Sequence, residues 1–417
     1  MTSGTGSVVV TGGGIVGLAC AHYLTSAGFE VTVIDRSGIG QGCSHGNCGY
    51  VCPSHVLPLT EPGAWLDGIR SLFRPESAFR IKPQLRLDIY RWLFEFARRC
   101  THDRMLEAGH RLQPLLESSM AEYKKLLDST ALAGEWKEHG LLYVFETDAG
   151  FAGFERTDAL LTNTYGLAAR RIEGDELPEF DAALKDGLAG AYFYDGDASV
   201  RSDRLIREWR SELTNSGVEF IENCRLERVS KSAGRIEALQ TVKGELTADY
   251  YVFAAGAWSS ELAAELDCRI PVEPGKGYSL TMRKPDCCPA HPMLFPEHRV
   301  GVTPFDESYR IGSMMEFAGF DSSIPERRIT QLKDSARPYL KTPVDGGIEE
   351  TWYGWRPMTW DSLPIIGRVP RLGNGLLATG HNMLGLTLAP ATGRLIAELV
   401  CERATHIAVD AFSPARF

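Results

Sequence analysis

Apolar residues change their spacing several times along this chain, and the changes mark out its elements. Val8-Val9-Val10-Thr11 is a short β-branched run of strand type. It leads into Gly12-Gly13-Gly14-Ile15-Val16-Gly17, after which residues 18–27 read as a helix and 30–35 as a second strand closing on Asp35. Leu85, Ile89, Trp92, Leu93 and Phe96 recur at helical spacing, and another helix is predicted over 112–127. Strand-type segments follow at 140–145, 190–194 and 218–222, then a buried one at 250–258 that ends in small residues. Residues 270–345 are strand-rich, with Gly277-Tyr278-Ser279-Leu280-Thr281-Met282 and Tyr309-Arg310-Ile311-Gly312 as the clearest pieces. A strand at 376–380 and a helix at 389–403 close the chain.

Strand–helix alternation therefore stands at the start, the middle and the end, with two different inserts between. The fold class this predicts is α/β with an α+β second domain: a discontinuous Rossmann-type domain interleaved with an antiparallel-sheet domain. The expected boundaries are 1–59, 191–269 and 350–417 for the dinucleotide-binding part. The second part takes 60–190 and 270–349, including a helical insert at 60–130. That insert reads as helices packed on the protein's own core. The sharper alternative is a docking surface for a membrane or a partner subunit, since Trp92, Arg91, Arg98 and Arg99 share the segment.

Composition changes the picture little. The chain has 417 residues, 44% hydrophobic and 24% charged, with a net charge of −10. That charge offers no basic field for nucleic acid. Ten cysteines are scattered. Cys43, Cys48 and Cys52 cluster without a fourth ligand at suitable spacing, so reduced thiols are expected rather than a metal or iron–sulfur site. No run approaches the roughly eighteen apolar residues of a spanning helix, and no secretory pattern opens the chain. A cytoplasmic protein is expected, with a peripheral position at the inner face of the membrane as the variant.

Gly12, Gly14 and Gly17 fit the dinucleotide fingerprint: a tight turn, a backbone open to a pyrophosphate, and a helix packed close on its strand. The phosphates would sit on free N–H groups at the helix start. Asp35 is placed to accept hydrogen bonds from ribose hydroxyls, which argues against NADP. The fingerprint alone leaves FAD and NAD open.

Five segments carry a resemblance that spans nearly the whole chain. They are the opening fingerprint with Asp35-Arg36; Cys43-Ser44-His45-Gly46-Asn47-Cys48-Gly49-Tyr50-Val51; the insert from Arg86 to Arg99; the segment from Gly217 to Val229 with Ala254-Ala255-Gly256-Ala257-Trp258-Ser259; and Gly354-Trp355-Arg356-Pro357-Met358 leading to Gly380-His381-Asn382-Met383-Leu384-Gly385-Leu386-Thr387. Together they resemble the FAD-dependent amine oxidoreductases of the D-amino acid oxidase superfamily, and most of all the bacterial D-amino acid dehydrogenases, with glycine and sarcosine oxidases as relatives.

The resemblance implies noncovalent FAD, because the attachment cysteine near 354–367 is missing. It implies that Gly12, Gly14, Ile15, Val16, Gly17, Asp35, Arg36, Ser44, His45, Gly46, Asn47, Leu226, Ala255, Gly256, Trp258, Asn382, Met383, Gly385, Leu386 and Thr387 contact the cofactor, Leu226 through its backbone at adenine. It places Arg356 as the clamp on a substrate carboxylate, Tyr278 beside the substrate, and His45 and His381 as titratable groups near the flavin. The implied reaction is oxidation of a small amino acid to an imino acid, with electrons passing to a quinone or another acceptor. A secondary amino acid (proline, hydroxyproline or sarcosine type) is the alternative substrate, and an FAD-binding subunit of a larger amine dehydrogenase complex the alternative role. Where glycine oxidases carry a second arginine, this chain has Met383.

Overall fold

The computed structural model describes residues 6–66, 68, 77–344 and 347–417. Parts of the predicted insert, residues 67 and 69–76, and the first five residues of the chain lie outside the described residues.

Among the described residues, a six-stranded sheet runs in the order Ile365–Arg368, Gly375–Thr379, Tyr250–Phe253, Ser7–Thr11, Glu30–Ile34, Glu219–Ile221. Its pairings are parallel except the first. Val8, Val10, Val31, Val33 and Val252 are buried, as β-branched residues of a covered parallel sheet should be. Helix Ile15–Ser26 packs against helix Gly385–Val400, and a Cβ on Gly393 would stand 2.5 Å from the Ala19 carbonyl oxygen. The two helices approach this closely only because that position is glycine.

The second sheet is larger and mostly antiparallel. Its central strands are Val272–Arg283, paired on one side with Ile348–Thr359 and on the other with Ser308–Phe317. Beyond them follow Val300–Pro304, Met293–Phe295, Leu141–Phe145, Gly190–Tyr194 and Arg170–Glu173. Two segments depart from the expected boundaries. Gly190–Tyr194 hydrogen-bonds to Leu141–Phe145, and Ile348–Thr359 to Val272–Arg283, so both belong with this sheet and not with the dinucleotide-binding one. Strand pairing of this kind is non-local, and segment order alone could not assign it.

In the insert, helix His102–Ser129 packs on the closing helix: Tyr123 donates to the Leu386 carbonyl at 2.7 Å and Ser119 to the Thr387 carbonyl at 2.5 Å. Helix Leu87–Ala97 buries Ile89, Trp92 and Phe96. Leu85 is not on that buried face. Arg86 is extended and bridges Asp88 and Glu273, so the helix starts at Leu87 and leaves Leu85 fully exposed.

Helices Asp148–Tyr165 and Ser202–Asn215 were missed by the sequence reading. The second carries its signal plainly, with Leu205, Ile206, Trp209 and Leu213 on one buried stripe.

The two sheets meet at the loop 42–49, and Arg310 holds it there. This arginine is 1% exposed. Its Nη1 donates to the carbonyls of Asn47 at 2.8 Å and His45 at 3.2 Å, its Nη2 to Asp203 at 3.1 Å and its Nε to Thr281 at 3.0 Å. Removing one member of a buried charged pair costs about 3–5 kcal/mol. Arg310→Met is therefore expected to lower unfolding free energy by about that amount, measured by urea denaturation, with earlier proteolysis of the loop at 42–49.

Candidate functional site

The first strand runs straight into the glycine turn. Gly12 has φ +110°, and a Cβ there would lie 2.3 Å from the Ala254 carbonyl oxygen. A Cβ on Gly17 would lie 1.8 Å from the Gly12 carbonyl oxygen. Gly14 differs, since its missing Cβ would meet only the Ser44 hydroxyl oxygen, at 3.5 Å. Two of the glycines thus serve packing and the third leaves the helix start open. Asp35 accepts from the Gly13 N–H and the Ser37 N–H, both at 2.8 Å, so part of its capacity goes to ordering this turn.

These residues line one cleft with an empty volume of about 1250 Å³ including its mouth. Gly12, Gly14, Ile15, Val16, Asp35, Arg36 and Ser44 form one end; Leu226, Ala255, Gly256 and Trp258 form a wall; Asn382, Met383, Gly385 and Leu386 close it. Arg36 lies over the Trp258 ring at 5.0 Å. Both helices that begin at the cleft, Ile15–Ser26 and Gly385–Val400, start without a side-chain cap and without an acid in the first turn. Their N-terminal partial charge therefore faces the cleft, although the Ile15 N–H does reach the Ser44 hydroxyl at 3.2 Å.

A second cavity, about 1490 Å³ with its mouth, adjoins the first and shares Cys43, Asn47, Arg356, Asn382 and Met383 with it. Gly46 and Thr387 line this second one. Arg356 stands at the junction. Its Nη1 donates to the Met314 carbonyl at 2.7 Å. Met314 has φ +68° beside a register shift in the strand pairing, a β-bulge that turns its carbonyl toward the guanidinium. A Cβ on Gly277 would lie 2.2 Å from Arg356 Nη1, so the guanidinium fills the space that glycine leaves. Among the described residues no carboxylate lies within 4.0 Å of it.

Tyr278 lines the second cavity and His381 the first, but the polar groups of both, like that of His45, are committed to other partners. Tyr278 pairs with Tyr353, one residue out of step with the Gly277–Gly354 and Gly275–Arg356 pairs. Side chains alternate along a strand, so its hydroxyl points to the other face, where it donates to Glu316 at 2.8 Å. His45 is not among the residues lining either cavity. Its Nε2 meets Glu350 at 2.8 Å, and its carbonyl is held by Arg310 and Ser202. His381 lines the first cleft but is 2% exposed and bonds Thr392 at 3.0 Å; burial pushes it down to about 3. It anchors the loop and stays uncharged near neutral pH.

Comparison with known proteins adds to this geometry. A family model described as FAD dependent oxidoreductase (DAO) matches residues 7–399. The chain belongs to this FAD-dependent oxidoreductase family. A D-amino acid dehydrogenase of Neisseria gonorrhoeae (strain NCCP11945) is 32% identical over 416 residues, covering 98% of this chain and 99% of the relative. One from Methylobacterium nodulans is 32% identical over 418 residues, with the same coverage. Glycine oxidase from Geobacillus kaustophilus superposes with a TM-score of 0.81 at 21% identity over 99% of both chains. L-proline dehydrogenase from P. horikoshii gives 0.75 at 21%, over 99% of this chain and 98% of the other. At that identity the structural likenesses establish the shared fold.

The cofactor of this flavoenzyme family is FAD, and the residues present fit it. The open helix start at Gly14 suits a pyrophosphate, Asp35 suits a ribose, and the uncapped helix at Gly385 suits the electron-rich edge of a flavin. Gly385 and Leu386 face the first cleft and Thr387 the second, with the Thr387 hydroxyl donating to the Tyr50 carbonyl at 3.0 Å.

One cluster near the flavoenzyme's second cavity carried no sequence signal. Asp197 is 2% exposed and accepts from both the N–H and the hydroxyl of Ser54, itself a lining residue. Burial raises its carboxyl from 3.8 to about 7. The folded state then holds this proton more tightly than the unfolded chain does, so the group's contribution to stability falls as pH rises from about 4 to about 7. Three units correspond to at most ~4 kcal/mol. Asp197→Asn is expected to gain melting temperature relative to the parent as pH goes from 5 to 8, in parallel thermal melts; a constant difference across that range would contradict it.

Proposed function

We propose that this flavoenzyme oxidises the C–N bond of an amino acid of D configuration. The product is an imino acid that water hydrolyses to a 2-oxo acid. The observation that carries the reading is Arg356: a guanidinium between two cavities, held by a backbone carbonyl, with no carboxylate of the described chain beside it. A planar fork of this kind can grip both oxygens of a substrate carboxylate. That grip would fix the α-carbon with respect to the cofactor cleft. Bound FAD supplies the acceptor for the hydride leaving the α-carbon. The 32% identity to D-amino acid dehydrogenases over nearly the full length supports the substrate class and the D configuration.

Among the described residues no histidine other than His55 and His381 lines the two cavities. His55 lines the second cavity, but burial pushes it down to about 4, so it stays neutral near pH 7. The electron acceptor in this reading is a quinone or a comparable carrier, met at the membrane. The outer face of helix Leu87–Ala97 supports that contact, with Leu87 87% and Phe94 61% exposed and Arg91 and Arg98 on the same side. Among the described residues no helix is long and apolar enough to cross a membrane, so the contact is peripheral.

Three results test this. Arg356→Leu should keep its flavin colour but lose about 10²–10³-fold in kcat/KM for the preferred D-amino acid, roughly 3–4 kcal/mol, the loss expected for a charge-assisted bidentate pair; full activity would refute the clamp. Acid precipitation should release all the yellow colour into the supernatant, because the attachment is noncovalent; colour in the pellet would refute that. In flotation assays the enzyme should rise with phosphatidylglycerol vesicles and the double variant Leu87→Glu, Phe94→Glu should stay behind. Equal flotation of both would dismiss this face as the contact.

A further inference from the structure

The second cavity is far larger than an amino-acid head group needs, and its walls have a definite chemistry. Beyond the residues it shares with the cofactor cleft, it extends between helices His102–Ser129 and Asp148–Tyr165. There Leu57, Leu112, Tyr143, Phe154 and Leu161 line it. Several polar atoms along the walls are committed elsewhere, while the buried Ser362 hydroxyl has no partner among the described residues. The Tyr50 hydroxyl donates to the carbonyls of Met293 and Val302 at 2.8 and 3.1 Å. The Ser54 hydroxyl is bound to Asp197, and the Thr387 hydroxyl to the Tyr50 carbonyl. Apart from Arg356, His55 is the basic lining residue, and its burial keeps it neutral. Among the described lining residues the one carboxylate is Glu61, which is exposed.

We infer that the preferred substrate is an amino acid with a bulky apolar side chain (aromatic, branched aliphatic or thioether), its carboxylate on Arg356 and its side chain in the arm between the two helices. This rests on the amino-acid reading above. Among the described lining residues an acidic side chain would find no cation once Arg356 holds the α-carboxylate. A basic one would meet a carboxylate only at the solvent-exposed edge. Glycine would leave the arm wet, forgoing the gain from apolar burial.

Binding of simple carboxylates to the FAD-loaded enzyme, followed by the change in flavin absorbance, separates the two readings. Acetate and 3-phenylpropionate should both perturb the spectrum, with the Kd of 3-phenylpropionate at least tenfold lower. Thr157→Glu, which places a charge on the arm wall, should bring that ratio toward one while the flavin absorbance of the protein stays that of the parent. With a dye as acceptor, kcat/KM for D-phenylalanine or D-methionine should exceed that for glycine, D-glutamate and D-arginine at least tenfold. Equal affinity for the two carboxylates, with the clamp still working, overturns the apolar arm alone. Preference for D-arginine that Glu61→Gln abolishes overturns it in favour of an acid-lined mouth. No response to either carboxylate defeats the Arg356 reading first, and this inference with it.

Discussion

A single buried guanidinium decides whether there is a site at all. The loop at 42–49 contributes Cys43, Ser44, Gly46, Asn47 and Cys48 to the two cavities, yet it has little regular structure of its own. Its carbonyls at His45 and Asn47 point at Arg310, whose charge Asp203 balances from the next helix. A charge this deep is tolerated only when it is paired and each of its nitrogens is hydrogen-bonded. Arg310 meets that condition with Thr281, Ser202 and Asp203 as well as the two carbonyls. The arrangement ties a strand of the large sheet, the loop, and the helix that begins at Ser202 to one another. The loop is thereby fixed at the seam of the two sheets, where both cavities open.

What could be read from the residues in order was local. The glycine turn, the helix after it and Asp35 fall within thirty residues, and close neighbours explain Gly12 and Gly17 while Gly14 leaves the helix start open. The motif around Arg356 singled it out, and it stands where the two cavities join. Tyr278 borders the second cavity but turns its hydroxyl away, and His45 lines neither cavity, for reasons the chain order cannot supply. For Tyr278 the deciding fact is which face of a strand it occupies in a register set by Gly277 and Gly354. For His45 it is an acid 305 positions away. Arg310 and Asp197 gave no signal, since a lone arginine in a strand and a lone aspartate in a turn look alike whether buried or exposed. Their importance comes entirely from long-range packing.

Electrostatics of the cofactor cleft also come from pairs of distant segments. Two helices, one near each end of the chain, pack side by side where Gly393 meets the Ala19 carbonyl. Neither start carries an acidic residue that would cancel its partial positive charge. One start therefore suits a phosphate, and the other would favour the reduced, more anionic state of a flavin held there. The insert helix reinforces the second. Tyr123 and Ser119 take up the carbonyls of Leu386 and Thr387, so the backbone whose N–H groups face the cavities is held from behind.

The last strand of the large sheet links the two halves of the chemistry. Arg356 sits three residues before Thr359, and the Thr359 N–H donates to the Asn382 side chain at 2.9 Å. Asn382 in turn gives its own N–H to the Pro357 carbonyl at 3.1 Å and its side-chain amide to the Gly380 carbonyl at 3.1 Å. It adopts φ +53°, a conformation asparagine tolerates better than most residues, and three residues later the closing helix begins. The guanidinium and the helix start are thus spaced by short, doubly hydrogen-bonded backbone and not by flexible loop. A substrate carboxylate gripped by Arg356, as proposed, would be held at a fixed distance from the cofactor cleft, and its α-carbon would be oriented by that spacing.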